Sequence, residues 1–156
     1  MAYDIVIKTT QKRCVASVRE TIPSYNSVGI LFPKVVTGLG AAMAGNPLPI
    51  AIWHDPEYKE SNVDAEAGFL FENEVQAGNG VQVHELPEAT VASTVHHGSY
   101  RRLPDAYDAL MRWVPGNGYQ VTGPVRELYL KLNQPVRQDD ESYITEIQAP
   151  VSKIAG

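Results

Sequence analysis

From Tyr3 to Lys8 the chain alternates, with Tyr3, Ile5 and Ile7 on one side and Asp4, Val6 and Lys8 on the other. That is the period of two of an extended strand. A second extended run, residues 13–19, centres on Val15, Ala16 and Val18. The two are readable as one long bent strand or as a strand and its continuation. From Val28 the spacing becomes helical: Phe32, Val35, Val36, Leu39 and Met43 share a stripe, Pro33 falls in the first turn, and Gly45-Asn46 marks the end. Gly38 and Gly40 weaken that helix, so packing must hold it. Pro49 to Trp53 reads as a short apolar strand closed by His54-Asp55-Pro56, and Ala65 to Glu72 as the next, with Phe69 and Phe71 on one face. Residues 73–80, ending in Gly78-Asn79-Gly80, read as a linker.

After the linker the same order returns. Val81 to Val83 and Ala89 to Val95 are extended, a loop passes through Gly98-Ser99-Tyr100, and a helix carries Tyr107, Leu110, Met111 and Val114. Pro104 and Asp105 suit its first turn, and Gly116-Asn117-Gly118 its stop. A strand around Glu127, a polar loop at 133–142 and a last strand, Tyr143 to Val151, follow. Val15-Ala16-Ser17 recurs as Val91-Ala92-Ser93, 91 − 15 = 76 residues on; Tyr25 and Tyr100, and Phe32 and Tyr107, are 75 apart, and Trp53 and Tyr129 are 76 apart. The spacing predicts an α+β fold: tandem strand-helix-strand-strand repeats, about 1–76 and 80–156, sharing an antiparallel sheet with two main helices and a central ligand cleft.

The stretch Thr122 to Leu130 is the most informative in chemical terms. Gly123-Pro124 opens a strand whose period places Val125, Glu127 and Tyr129 on one face. A carboxylate between apolar neighbours is costly unless a cation or hydrogen-bond donors meet it. Glu127 is therefore either an exposed edge-strand acid or the polar anchor of an apolar small-molecule pocket, with Trp53 and Phe71 of the first repeat as candidate walls.

Composition narrows the partners. The 156 residues are 44% hydrophobic with a formal charge of −5, which supports a globular core and offers no basic face for nucleic acid. The single cysteine, Cys14, rules out an intrachain disulfide and reads as a packed thiol. No signal segment is visible and no apolar run approaches bilayer length, so a soluble, cytoplasmic protein with no membrane partner is expected. His96 and His97 are adjacent on a strand and point to opposite faces, so no metal site is expected there, and no cofactor is called for.

The second half, His97-Gly98-Ser99-Tyr100, a helix with Trp113, then Gly123-Pro124-Val125-Arg126-Glu127-Leu128-Tyr129-Leu130 and Thr145-Glu146-Ile147-Gln148-Ala149-Pro150-Val151, resembles the GyrI-like domain. This is the effector-binding module of AraC- and MerR-type multidrug regulators, also found as a stand-alone protein and related to the SOUL superfamily. The resemblance covers nearly the whole chain. It implies a cleft for hydrophobic or cationic aromatic small molecules, with Glu127 as counter-charge and Glu146 as a second acid; Tyr129, Trp53, Tyr100, Phe71 and Trp113, by their places on strands, turn and helix, are candidates for ring walls or core. No helix-turn-helix accompanies the two repeats, so control of transcription would require a partner regulator.

Rival readings follow from the same resemblance. Some stand-alone members resemble hydrolases of cyclopropanoid genotoxins, for which Glu127 would position or activate water and Tyr100, Tyr129 or Trp113 would polarise the leaving carbonyl. Docking on DNA gyrase, as the family's namesake does, is a further alternative by analogy. Haem binding of the SOUL type would draw on His54, His84, His96 or His97.

Overall fold

The polar break Gln11-Lys12 separates the first two extended runs and sends them to different partners. In the computed structural model, which describes residues 3–155, β1 (Ile5–Thr10) does not continue into β2 (Arg13–Ile22) but pairs with β6 (Ala89–His97). Conversely, β5 (Gln82–Leu86) pairs with β2. The first strand of each sequence repeat is thus hydrogen-bonded to the second strand of the other. Contacts accordingly divide the chain into two units, one running up to Thr10 and resuming at Ala89, the other Gln11–Glu88. Neither boundary coincides with 73–80; Gly78 instead donates its backbone N–H to the Gly38 carbonyl at 2.9 Å, inside the second of these units.

In the Gln11–Glu88 unit the strand order is β5-β2-β4-β3, with β3 at Leu48–Trp53 and β4 at Val63–Phe71, and these pairings are antiparallel. The period of two puts Ala16, Val18, Ala67 and Phe69 on the face that meets the helix. The helical pattern expected over 28–45 is realised as three pieces: a 3₁₀ segment Tyr25–Ile30, α1 (Phe32–Leu39) and a second 3₁₀ segment Gly40–Gly45. Gly40, at φ 54°, ends α1 in a conformation that side chains disfavour. Val35 and Leu39 are buried, and Phe32 meets Phe69 edge-on at 5.8 Å. Tyr25–Gly45 is long and apolar enough, by length and composition alone, to cross a membrane. That corrects the expectation that no run approaches bilayer length: the apolar residues are spaced among glycines, and here they serve α1 and its flanking turns.

Gly68 explains how closely β2 and β4 lie. A Cβ there would run into the backbone of Ala16 and Ser17, so the position admits only glycine without movement of the strands.

In the other unit the order is β1-β6-β9-β8, with β9 at Ile144–Lys153 and β8 at Val125–Lys131; β7 (Tyr119–Val121), too short to show a period in sequence, also pairs with β9. α2 (Leu103–Gly116) begins with Pro104 and Asp105 in its first turn and ends before Gly118 at φ 83°. It buries Ala106, Leu110 and Val114 against Ala92, Ile147, Ala149 and Val151. The resulting helix-side face of β8 is where Glu127 lies, since Glu127 is directly opposite Ile147.

Candidate functional site

Strand β8 presents Glu127 and Tyr129 on one face, two residues apart, as its period requires. Glu127 is only 5% exposed. The Tyr129 hydroxyl donates to its Oε1 at 2.8 Å, and the Tyr107 hydroxyl, from α2, donates to Oε2 in a short hydrogen bond. Both donors are uncharged hydroxyls, and they orient the carboxylate. Burial, followed by the neighbouring Glu127, pushes the Tyr129 phenol well above its ordinary pKa, which keeps it a donor. Tyr100 is raised too, first by burial and then by Tyr143, Glu127 and Asp140.

The rings continue the site. Tyr100, in the 3₁₀ turn Tyr100–Arg102 preceding α2, meets Tyr129 edge-on at 5.8 Å and lies 4.9 Å from Tyr143. The loop before β9 holds Tyr143 in place, because its hydroxyl accepts from the Arg137 backbone N–H at 2.9 Å. The structure therefore brings Glu127, Tyr129 and Tyr100 together, and adds Tyr107 and Tyr143. Tyr107 was legible only as a residue of the helical stripe; a phenol on a core stripe needs a hydrogen-bond partner, and that requirement was the available signal.

The other candidates lie elsewhere. Glu146 is opposite Leu128 in the β8–β9 register, on the sheet face turned away from α2. There it accepts from Ser93 at 2.7 Å and Gln148 at 2.9 Å and pairs with Lys8 at 2.6 Å. Burial alone would raise its pKa; Lys8, Gln148 and Ser93 outweigh that and lower it. Trp113 stacks on Tyr119 at 6.1 Å and lines an open groove of about 640 Å³ with Tyr3, Arg102, Asp105, Asp108 and Arg112. Glu127, Tyr129 and Tyr100 are not part of that groove's lining. In the other unit, Trp53 is buried with Tyr25 edge-on at 5.1 Å, and Phe71 is half-buried at the end of β4. Glu127 is not the only buried acid: Glu66 and Glu146 are buried too, both on sheet faces away from the helices.

Residues 3–152 match the family model for the GyrI-like small molecule binding domain. The chain belongs to that family. A similar solved structure is the EcmrR C-terminal domain, 30% identical, with a TM-score of 0.80, the match covering 99% of this GyrI-like chain and 100% of that one. The EcmrR–DNA complex is matched at 31% identity and a TM-score of 0.80 over 97% of this chain but 58% of the longer EcmrR chain. SAV2435 bound to tetraphenylphosphonium shares the fold at 14% identity and a TM-score of 0.53, covering 97% of this chain and 94% of that one. No curated protein matches. The α+β class is that of the family, and the regulator-domain relatives agree with the resemblance read from the second half.

Proposed function

We propose that this GyrI-like domain binds bulky aromatic cations at the Glu127 site, for sensing or sequestration. The observation carrying the reading is a buried carboxylate held by two uncharged phenols, Tyr107 and Tyr129, with the Tyr100 ring edge-on to Tyr129. A delocalised cation gains from the carboxylate and from ring faces, each cation–π contact being worth about 0.5–2 kcal/mol, while apolar area supplies tolerance for different shapes. SAV2435 with its tetraphenylphosphonium offers a relative of the same fold that takes such a cation. Glu127, Tyr129 and Tyr100 have the ligand role, joined by Tyr107 and Tyr143; Glu146 and Trp113 have structural roles. Action in the cytoplasm, with a partner regulator where transcription is involved, accords with the kinship to the DNA-bound EcmrR.

Hydrolysis is the weaker reading. Both Glu127 oxygens already accept a phenolic hydrogen, so a water to be activated is left only their remaining acceptor positions. Ring-proton NMR tests the binding site directly. Tetraphenylphosphonium should shift Tyr100 and Tyr129 resonances and leave Trp113 unmoved. Shifts confined to Trp113 and its stacking partner Tyr119 would place binding in the Trp113 groove and overturn the assignment.

A further inference from the structure

The sheet faces turned away from the helices carry a second relationship, unconnected with Glu127. In the unit that contains β6, Lys8 lies opposite Val91 and pairs with Glu146, which also accepts from Ser93. In the Gln11–Glu88 unit, His84 lies opposite Val15 and hydrogen-bonds Glu66, which also accepts from Ser17 at 2.5 Å. Val15 and Ser17 are the repeat equivalents of Val91 and Ser93, and Lys8 and His84 are separated by the same 84 − 8 = 76 residues. Each unit thus has a buried Ser–Glu pair and one basic side chain reaching it from the edge strand of its sheet. One edge uses lysine; the other uses histidine.

The histidine's surroundings require a protonated ring. His84 Nε2 faces the Glu66 carboxylate, and its Nδ1 lies 3.1 Å from the Glu85 carbonyl oxygen. Both neighbours are acceptors only, and an imidazole donates from both nitrogens only when it is an imidazolium. His54, at the end of β3, supplies the other side of Glu66, its Nε2 donating to Oε1 at 2.7 Å.

The other charges on this sheet face are Arg13, on β2 opposite Leu86 and two positions from Val15, and the paired groups around Asp64 and Asp55. On β2 and β4, Arg19 lies opposite Glu66 and is engaged bidentately by Asp64 at 2.9 and 2.8 Å. Beyond β3, Asp55 accepts from the Asp64 backbone N–H and lies 3.7 Å from Lys59. On β5 the neighbours of His84 on its own face are Gln82 and Leu86, while Glu85 points to the opposite face and lies 3.6 Å from Lys12.

We propose that His54, Glu66 and His84 form a protonation-sensitive latch, in which imidazolium His84 ties edge strand β5 to the buried carboxylate and loss of its proton loosens that strand, while the Lys8–Glu146 pair is the corresponding tie on β1. Burial opposes the charge on His84, but the hydrogen bonds to Glu66 and Glu85 outweigh it and raise the pKa above the ordinary imidazole value. A group raised in the folded state contributes stability that is fully present below its unfolded pKa and is lost as pH rises through the folded one. β5 therefore loosens on the alkaline side.

Hydrogen exchange of the intact chain, with rates divided by the intrinsic rate at each pH, reads each edge separately. Between about pH 6 and about pH 9, a range spanning the imidazole titration, protection of the β5 amides should fall at least threefold, a change of roughly 0.65 kcal/mol. β1 should not change. His84→Lys should abolish the pH dependence in β5, and Lys8→His should create it in β1. If either variant fails to fold, the wild-type comparison of β5 with β1, together with an NMR titration of His84, decides the matter. Equal pH dependence of the two edges, or none in β5, would overturn the proposal, as would a His84 ring that is neutral at pH 6.

Discussion

Tyr129 donates its phenolic hydrogen to Oε1 of Glu127, two residues earlier on the same strand, at 2.8 Å. Strand geometry makes the pair possible, because residues two apart share a face. Burial makes it necessary, because a carboxylate 5% exposed must be met by donors. Tyr129→Phe should therefore lower stability by about 1–3 kcal/mol, the cost of leaving a buried polar group short of a partner. Urea unfolding measures this, and Tyr107→Phe should behave similarly. A neutral effect for both would show that the carboxylate does not depend on these phenols.

The phenols themselves titrate late. Tyr100 and Tyr129 both have pKa values raised by burial, with Glu127 adding to the effect. The folded state holds protons that the unfolded chain releases, so this contribution is complete below the ordinary tyrosine value and is lost as pH climbs through the folded one. Ultraviolet titration of the eight tyrosines should show at least two that ionise only as the protein unfolds. Eight superimposable ionisations near pH 10 would contradict it.

On the face away from α2, Glu146 has its pKa lowered despite burial by Lys8, Gln148 and Ser93. A depressed carboxylate contributes stability present above its unfolded pKa and lost as pH falls through the folded one. Stability should decline in acid below about pH 4.5, and Lys8→Met should shrink that decline while costing about 1–3 kcal/mol at neutral pH. Denaturant midpoints against pH provide the check. An unchanged acid limb in Lys8→Met would separate Glu146 from it.

Two glycines should respond in opposite ways. A Cβ at Gly68 meets the backbone of β2, whereas one at Gly116 meets open space. Gly68→Ala should cost about 1–3 kcal/mol or more, since neither strand can move without breaking pairing. Gly116→Ala should be neutral or stabilise by up to about 1 kcal/mol, as expected in a helix. Thermal unfolding distinguishes them.

Much of this fold was legible because its periods are clean. Pro104 and Gly118 bracket α2, and the alternation through Val125, Glu127 and Tyr129 put the acid on one face with apolar neighbours, where the structure buries it. The repeat was visible in Val15-Ala16-Ser17 and Val91-Ala92-Ser93. What stayed hidden was long-range pairing: nothing local in Ile5–Thr10 says that it joins β6 rather than β2. The broken helix at 25–45 was hidden for a different reason. A 3₁₀ turn and an α-turn share an apolar stripe over so few residues; Gly40's positive φ marks the end of α1, while Leu31, at the break before it, keeps ordinary helical angles. The resemblance implies Glu146 as a second acid for the ligand, whereas its position opposite Leu128 puts it on the other face from Glu127. Register decides that, and register belongs to two strands at once.

The most direct measurement is calorimetric binding of tetraphenylphosphonium and of the neutral triphenylphosphine oxide to the wild type and to Glu127→Gln, at fixed salt. The expected result is that the variant remains folded, loses at least about tenfold in affinity for the cation, or roughly 1.4 kcal/mol, and binds the neutral compound within about twofold of wild type. Equal losses for both compounds, or undiminished binding of the cation, would contradict the assignment of Glu127 as the counter-charge.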